Sequence, residues 1–149
     1  MRSILIDTNI LMLLIIGSWN REAIPGHRRT AIFTPADFDL LQEELGRFGR
    51  ILTTPTVVTE VSNLMGNQFH ETIAGTLIHV CTPLVEITRP KEEVWAGEGF
   101  PRLGFSDASV LASLDDDTVL LTDDVSLYNQ ALYQDSEAIN FNHLRKFNG

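Results

Sequence analysis

Five carboxylates stand where the surrounding apolar pattern argues against them. The run Ser106-Asp107-Ala108-Ser109-Val110-Leu111-Ala112-Ser113-Leu114 reads as a helix opened by a serine cap. Val110, Leu111 and Leu114 follow Asp107 at helical spacing, so Asp107 stands at the N-terminal end of an apolar stripe and on its centre line. Asp7 closes Ser3-Ile4-Leu5-Ile6, a short apolar run typical of a buried strand. Glu60 falls on a predicted helix from Pro55 to Met65, at the edge of the arc formed by Val57, Val61, Leu64 and Met65. Asp123 and Asp124 follow Thr118-Val119-Leu120-Leu121-Thr122, a second buried-strand run. An unpaired buried carboxylate costs roughly several kcal/mol, and a bound cation is one candidate to offset it.

These acids lie too far apart in sequence for a local calcium loop, so they can converge only through tertiary folding. Hard oxygen ligands favour Mg²⁺ or Mn²⁺ over zinc, and no His/Cys cluster competes with them. One or two such ions in an acidic pocket suit metal-assisted phosphodiester hydrolysis, which requires no Ser, Cys or His nucleophile. Thr8, Asn9 and Thr122 are expected to orient the acids by hydrogen bonds. A plainer role exists for each acid: Asp7 as a helix N-cap, Asp107 as a first-turn carboxylate favoured by the helix dipole, Glu60 as a solvated glutamate. Asp115-Asp116-Asp117 reads as a solvated turn. His27-Arg28-Arg29 is a candidate RNA-contacting phosphate clamp, with an ordinary solvated loop as its alternative. Trp19 and Trp95 could stack on unpaired bases, but packing in a core or interface is the larger expectation.

The elements that must position these residues alternate as strands and helices, which predicts an α/β fold with a mainly parallel sheet. Strands are expected at Arg2–Ile6, Ile51–Thr53, Leu84–Thr88, Val119–Thr122 and Ala138–Phe141. Helices are expected at Thr8–Ile16, Pro35–Phe48, Pro55–Met65, Phe69–Cys81, Lys91–Ala96, from Ser106 onward, and Val125–Tyr133. Gly17 to Thr34 and Gly97 to Gly104 read as loops, and Thr34 with Pro35 forms a helix start. Acids at the C-terminal ends of apolar strands are what an open α/β sheet offers as a ligand crevice.

The chain has 149 residues, 44% hydrophobic and 21% charged, which predicts one domain spanning 1–149 with a substantial core. A net charge of -9 does not suggest a protein that holds long nucleic acid by bulk electrostatics. Residues 1–75 carry 8 acids and 6 bases, and residues 76–149 carry 12 acids and 5 bases, so phosphate-contacting bases are expected in the first half or on a partner. Cys81 is alone, which excludes an internal disulfide and is expected to be a buried structural thiol. Arg2 and the apolar Ile10 to Ile16 mimic a signal peptide, but Asp7 interrupts them and no small-residue cleavage site follows. No apolar stretch is long enough for a transmembrane helix, and a cytoplasmic location is expected.

Asp7-Thr8-Asn9 after the first strand, Thr59-Glu60-Val61, Ser106-Asp107-Ala108 and Leu121-Thr122-Asp123-Asp124, in that order, together resemble the PIN-domain signature. The resemblance spans nearly the whole chain. It implies a three-layer α/β/α sandwich and an Mg²⁺- or Mn²⁺-dependent endoribonuclease site carried by Asp7, Glu60, Asp107 and an aspartate of the last motif. The family's usual Thr-x-Asp places that aspartate at Asp124, with Asp123 as the alternative. In many small prokaryotic members, such as VapC-type toxins, the nuclease dimerises and is neutralised by a co-encoded antitoxin. RNA as substrate, an antitoxin and a second copy of the chain are therefore the implied partners. Three other readings compete: a structure-selective DNA nuclease, a PIN-like partner-binding module without catalysis, and a receiver-like domain. The last would want a lysine after a late strand, and neither Lys91 nor Lys146 follows a convincing strand end.

Overall fold

Ser3–Ile6 (β1) is buried at every position, as a strand covered on both faces must be. The computed structural model, which describes residues 1–66 and 70–148, places β1 at the centre of a five-stranded sheet. Its other strands are β2 (Arg50–Thr53), β3 (Val85–Glu86), β4 (Thr118–Thr122) and β5 (Glu137–Asn140). The order is β3-β2-β1-β4-β5 and every pairing is parallel. The α/β class with a parallel sheet is therefore as expected. Parallel strands need crossover connections, and these are helical throughout. Helices α1 (Thr8–Trp19), α2 (Pro35–Leu45), α3 (Pro55–Met65) and α4 (Glu71–Cys81) belong to the β1–β2–β3 half, with α1 packed against the other three. Helices α5 (Lys91–Trp95), α6 (Phe100–Leu103) and α7 (Phe105–Ala112) pack on one another in the crossover to β4, and α8 (Val125–Tyr133) leads to β5. The two halves cover opposite faces of the sheet, giving three α/β/α layers. The chain winds away from β1 in one direction and from β4 in the other, so the topological switch lies between β1 and β4.

The core is centred on α1. Ile10 to Gly17 are all buried, so this helix has no polar face and is clasped between the sheet and its helical neighbours. That burial accounts for the apolar run at Ile10–Ile16. Helix α2 starts with the expected Thr34 cap and Pro35, completed by Asp37 in a reciprocal capping box. Helices α3 and α8 have the expected bounds.

Three expected loops or ends are ordered differently. Helix α1 runs past Gly17 to Trp19, and a 3-10 helix follows at Arg21–Gly26. Gly17 extends the helix rather than breaking it because α2 lies against it: a Cβ there would stand 2.1 Å from the Phe38 ring. The short helix α6 occupies the expected Gly97–Gly104 loop, and α9 (Phe141–Asn148) follows β5 without a break. Helix α4 begins at Glu71, and the expected start at Phe69 lies outside the described residues. Cys81 is half-buried, with burial pushing its thiol pKa up. No helix among the described residues is long and apolar enough to cross a membrane.

Candidate active site

Strands β1 and β4 end side by side at the switch. Ile6 pairs with Leu121, and the Asp7 N–H donates to the Leu121 carbonyl at 3.4 Å. Asp7 and the segment Thr122-Asp123-Asp124 therefore leave the sheet together, at the rim where doubly wound sheets hold ligands.

Asp7 is the N-cap of α1 and also part of the acidic cluster. Its Oδ1 accepts from the Ile10 N–H at 3.4 Å, and its Oδ2 accepts from the buried Thr122 hydroxyl. Thr122 Oγ1 in turn accepts the Asp124 N–H at 3.0 Å, so it orients both strand ends, as expected of it. Burial pushes the Asp7 carboxyl up to about 8, and the charges of Asp123 and Asp107 add to the effect. The capping role and the cluster role are thus two oxygens of one side chain.

Glu60 and Asp107 approach from the neighbouring helices. Thr8 Oγ1 and Ser106 Oγ both donate to Glu60 Oε1, each at 2.7 Å. Ser106 is therefore not the cap of the Asp107 helix. The cap position of α7 is Gly104, whose φ of +88° lies in the left-handed region that glycine tolerates best. Asp107 sits half-buried in the first turn, with Val110 and Leu111 buried beyond it on the predicted stripe. Its carboxyl is pushed up to about 6, by burial first and then by the charges of Asp124 and Glu60.

The last two aspartates divide the work. Asp123 is half-buried, and Asn9 Nδ2 donates to both its oxygens at 3.2 and 3.4 Å. Burial raises its pKa, Asp124 adds to that, and Asn9 and Arg145 oppose it. Asp124 is exposed and caps α8: its Oδ1 accepts from the Ser126 N–H at 2.8 Å and the Leu127 N–H at 3.1 Å, and its charge raises the Asp107 carboxyl.

All five acids are thus electrostatically linked: Asp7 with Asp123 and Asp107, Asp107 with Asp124 and Glu60, Asp123 with Asp124. Among the described residues no three His, Cys, Asp or Glu side chains stand close enough together, as they are, to enclose an ion. The donor set is nonetheless all carboxylate oxygen, and the raised Asp7 and Asp107 carboxyls mark a place where negative charge is uncompensated. Both features fit a hard divalent cation.

The expected phosphate clamp takes a different form. His27 is buried, with Nδ1 accepting the Arg29 N–H at 3.3 Å, and Arg29 Nε donates to the Leu64 carbonyl at 3.1 Å. Both bonds serve the fold; Arg28 and Arg29 are both exposed, and of the two Arg29 is tied to the Leu64 carbonyl. A basic group whose charge reaches the acids comes instead from α9, in the more acidic half. Asn142 Nδ2 donates to the Asp123 carbonyl at 3.3 Å, and Arg145 and Lys146 line a groove with Asn142. Sequence reading missed Ser106, Asn142 and this groove. A serine ahead of a helix reads as a cap, and β5 gave no sign that a helix starts at its end. Trp19 is half-buried with its ring edge-on to His70, and Trp95 is exposed with the Lys91 ammonium over its ring. Asp115 to Asp117 form an exposed turn.

No family model matches this chain, and no curated protein matches it. A solved domain of a functionally unknown protein from Methanocaldococcus jannaschii DSM 2661 is similar in structure, with a TM-score of 0.50 and 19% identity over 93% of this chain and 90% of that one. At that identity the likeness concerns the fold alone.

Proposed function

We propose that this protein is a divalent-cation-dependent endoribonuclease of PIN-like type, cutting single-stranded or loop RNA. The observation that carries the reading is the meeting of Asp7, Glu60, Asp107, Asp123 and Asp124, from four separate segments, at the switch between β1 and β4. Asp7, Asp107, Glu60 and one or both of Asp123 and Asp124 would hold one or two Mg²⁺ or Mn²⁺ ions. When bound, such an ion supplies a Lewis acid for the scissile phosphate and lowers the pKa of the attacking water.

The chain's own contribution is placement. Thr122 and the start of α1 fix both oxygens of Asp7, so its position is set by the sheet. Asn9 holds Asp123, and the amides of α8 hold Asp124 by Oδ1. Thr8 and Ser106 hold Glu60 by Oε1, leaving Oε2 for the site. A set of anions held apart in this way excludes an RNA phosphate until a cation offsets the repulsion, which makes binding of cation and substrate cooperative. Homodimer formation and neutralisation by an antitoxin belong to the same proposal and rest on the resemblance of the four motifs.

The test is cleavage of a mixed single-stranded RNA pool in Mg²⁺ or Mn²⁺, with EDTA and Asp107→Asn as controls. Cutting that disappears in both controls is expected, with Asp107→Asn at least 100-fold slower. Folded protein that neither cuts RNA nor is stabilised by Mn²⁺ would replace this reading with that of a partner-binding module. That alternative is favoured by the absence, among the described residues, of any three ligand side chains already closed to chelating range.

A further inference from the structure

Glu60 is the one acid of the cluster held only by side-chain hydroxyls rather than by backbone amides or an asparagine. Thr8 comes from the start of α1 and Ser106 from the first turn of α7, while Glu60 itself is on α3. Both hydroxyls point at the same oxygen, Oε1, at 2.7 Å. A carboxylate oxygen that accepts two hydroxyl bonds has little capacity left for a third partner. Ser106 is also adjacent in sequence to Asp107, whose own pKa is raised in part by Glu60. The hydroxyl of Ser106 thus ties together two helices whose carboxylates repel each other.

We infer that Ser106 is a positioning residue for the divalent cation site: with Thr8 it pins Glu60 by Oε1, presents Oε2 to the ion, and keeps α3 and α7 at the spacing at which Glu60 and Asp107 can share it. This inference rests on the proposed cation site and assigns a role to a residue that makes no contact with substrate. Serine suits the position because its hydroxyl donates to the carboxylate from within the first helical turn, where a longer donor such as lysine would neutralise Glu60 and compete with the ion. Neither hydroxyl titrates, so the clamp keeps its form across the working pH range.

Mn²⁺ binding to the full chain, followed by electron paramagnetic resonance of the free ion, tests this directly, with thermal unfolding in EDTA alongside. Ser106→Ala is expected to weaken Mn²⁺ binding by about 10-fold or more, the usual effect of removing a group that orients a metal ligand. Its midpoint of unfolding in EDTA should stay within a few degrees of the parent. Ser106→Thr, which restores the hydroxyl, should bind within about 3-fold of the parent, a rescue that a purely packing role would not produce. Thr8→Val should weaken binding as Ser106→Ala does, and it carries the test if Ser106→Ala does not fold. Mn²⁺ affinity unchanged in either folded variant overturns the inference while leaving the nuclease reading intact. Parent protein that takes up no Mn²⁺ overturns both.

Discussion

Asp7 shows how one side chain of a proposed cation site can be costly to the fold. Its carboxyl is buried and pushed up to about 8 against an unfolded value near 3.8. The folded state therefore keeps a proton that the unfolded chain has already lost across that interval. Stability contributed by this group is fully present below the unfolded pKa, falls as pH rises toward 8, and is flat above. In EDTA, the protein should unfold at lower urea at pH 8 than at pH 5, opposite to the trend set by salt-bridged carboxylates. Asp7→Asn should remove most of that slope and gain on the order of 1–3 kcal/mol at pH 8. Asparagine keeps the cap, since its Oδ1 still accepts from the Ile10 N–H, while its Nδ2 would stand in the place of Oδ2 and donate to Thr122 Oγ1 instead. An Asp7→Asn protein no more stable than the parent at pH 8 would show that the parent carboxylate is already compensated. At this scale the acids were legible from sequence because a carboxylate inside an apolar pattern is anomalous on its face. Ser106 was not, because its partner lies 46 residues away and nothing local distinguishes it from a cap.

Among the elements, the legible ones announce their own ends. Thr54 and Pro55 open α3, Asp124 opens α8, and both helices have the bounds that their caps dictate. Helix α1 was underread because Gly17 looks like a stop, whereas packing against α2 overrides that local preference. The consequence is measurable. Alanine at 17 has the better helix propensity by about 1 kcal/mol. Its Cβ would nevertheless stand 2.1 Å from Phe38 Cδ1 and 2.4 Å from Cε1, and Phe38 is buried with little room to turn. Overpacking of this kind costs roughly 1–3 kcal/mol, so Gly17→Ala should destabilise by about 1–2 kcal/mol net in urea unfolding. Its Mn²⁺ affinity should not change, because Gly17 lies almost three turns along α1 from Asp7. A gain in stability would mean that Phe38 moves aside. Helix α9 was missed for the converse reason: Asn142, His143 and Asn148 are weak helix formers, and Phe141 and Arg145 are anchored by contacts from far along the chain.

For the whole molecule the proposed ribonuclease reading poses the question of how a chain of net charge -9 would hold a polyanion. Five of its eleven arginines and lysines are committed to ion pairs: Arg2 to Glu137, Arg21 to Asp39, Arg47 to Glu43 and Glu44, Lys91 to Glu92, Arg145 to Asp37. Among the described residues Arg28, Arg29, Arg50, Arg89, Arg102 and Lys146 enter no ion pair, but Arg29, Arg50 and Arg102 donate to Leu64, Ser3 and Gln130, and of the six it is Lys146 that lines the groove reaching Asp123 through Asn142. With Lys146 and the Asp37-paired Arg145 as its cations, this groove can neutralise one or two phosphates of a bound strand. Each contact to single-stranded nucleic acid contributes about -0.7 to the slope of log K against log salt. The dependence of 1/KM on salt for RNA cleavage should therefore be shallow, about -0.7 to -1.4. Lys146→Ala should flatten it by about 0.7 and raise KM severalfold, while kcat and Mn²⁺ affinity stay near the parent values because Lys146 is not among the acids that would hold the ion. A slope near -4 or steeper would require more cations than this groove can offer. It would mean that the strand also crosses bases elsewhere on the chain, on a second copy or on a basic partner, and the size of the excess would count the phosphates they cover.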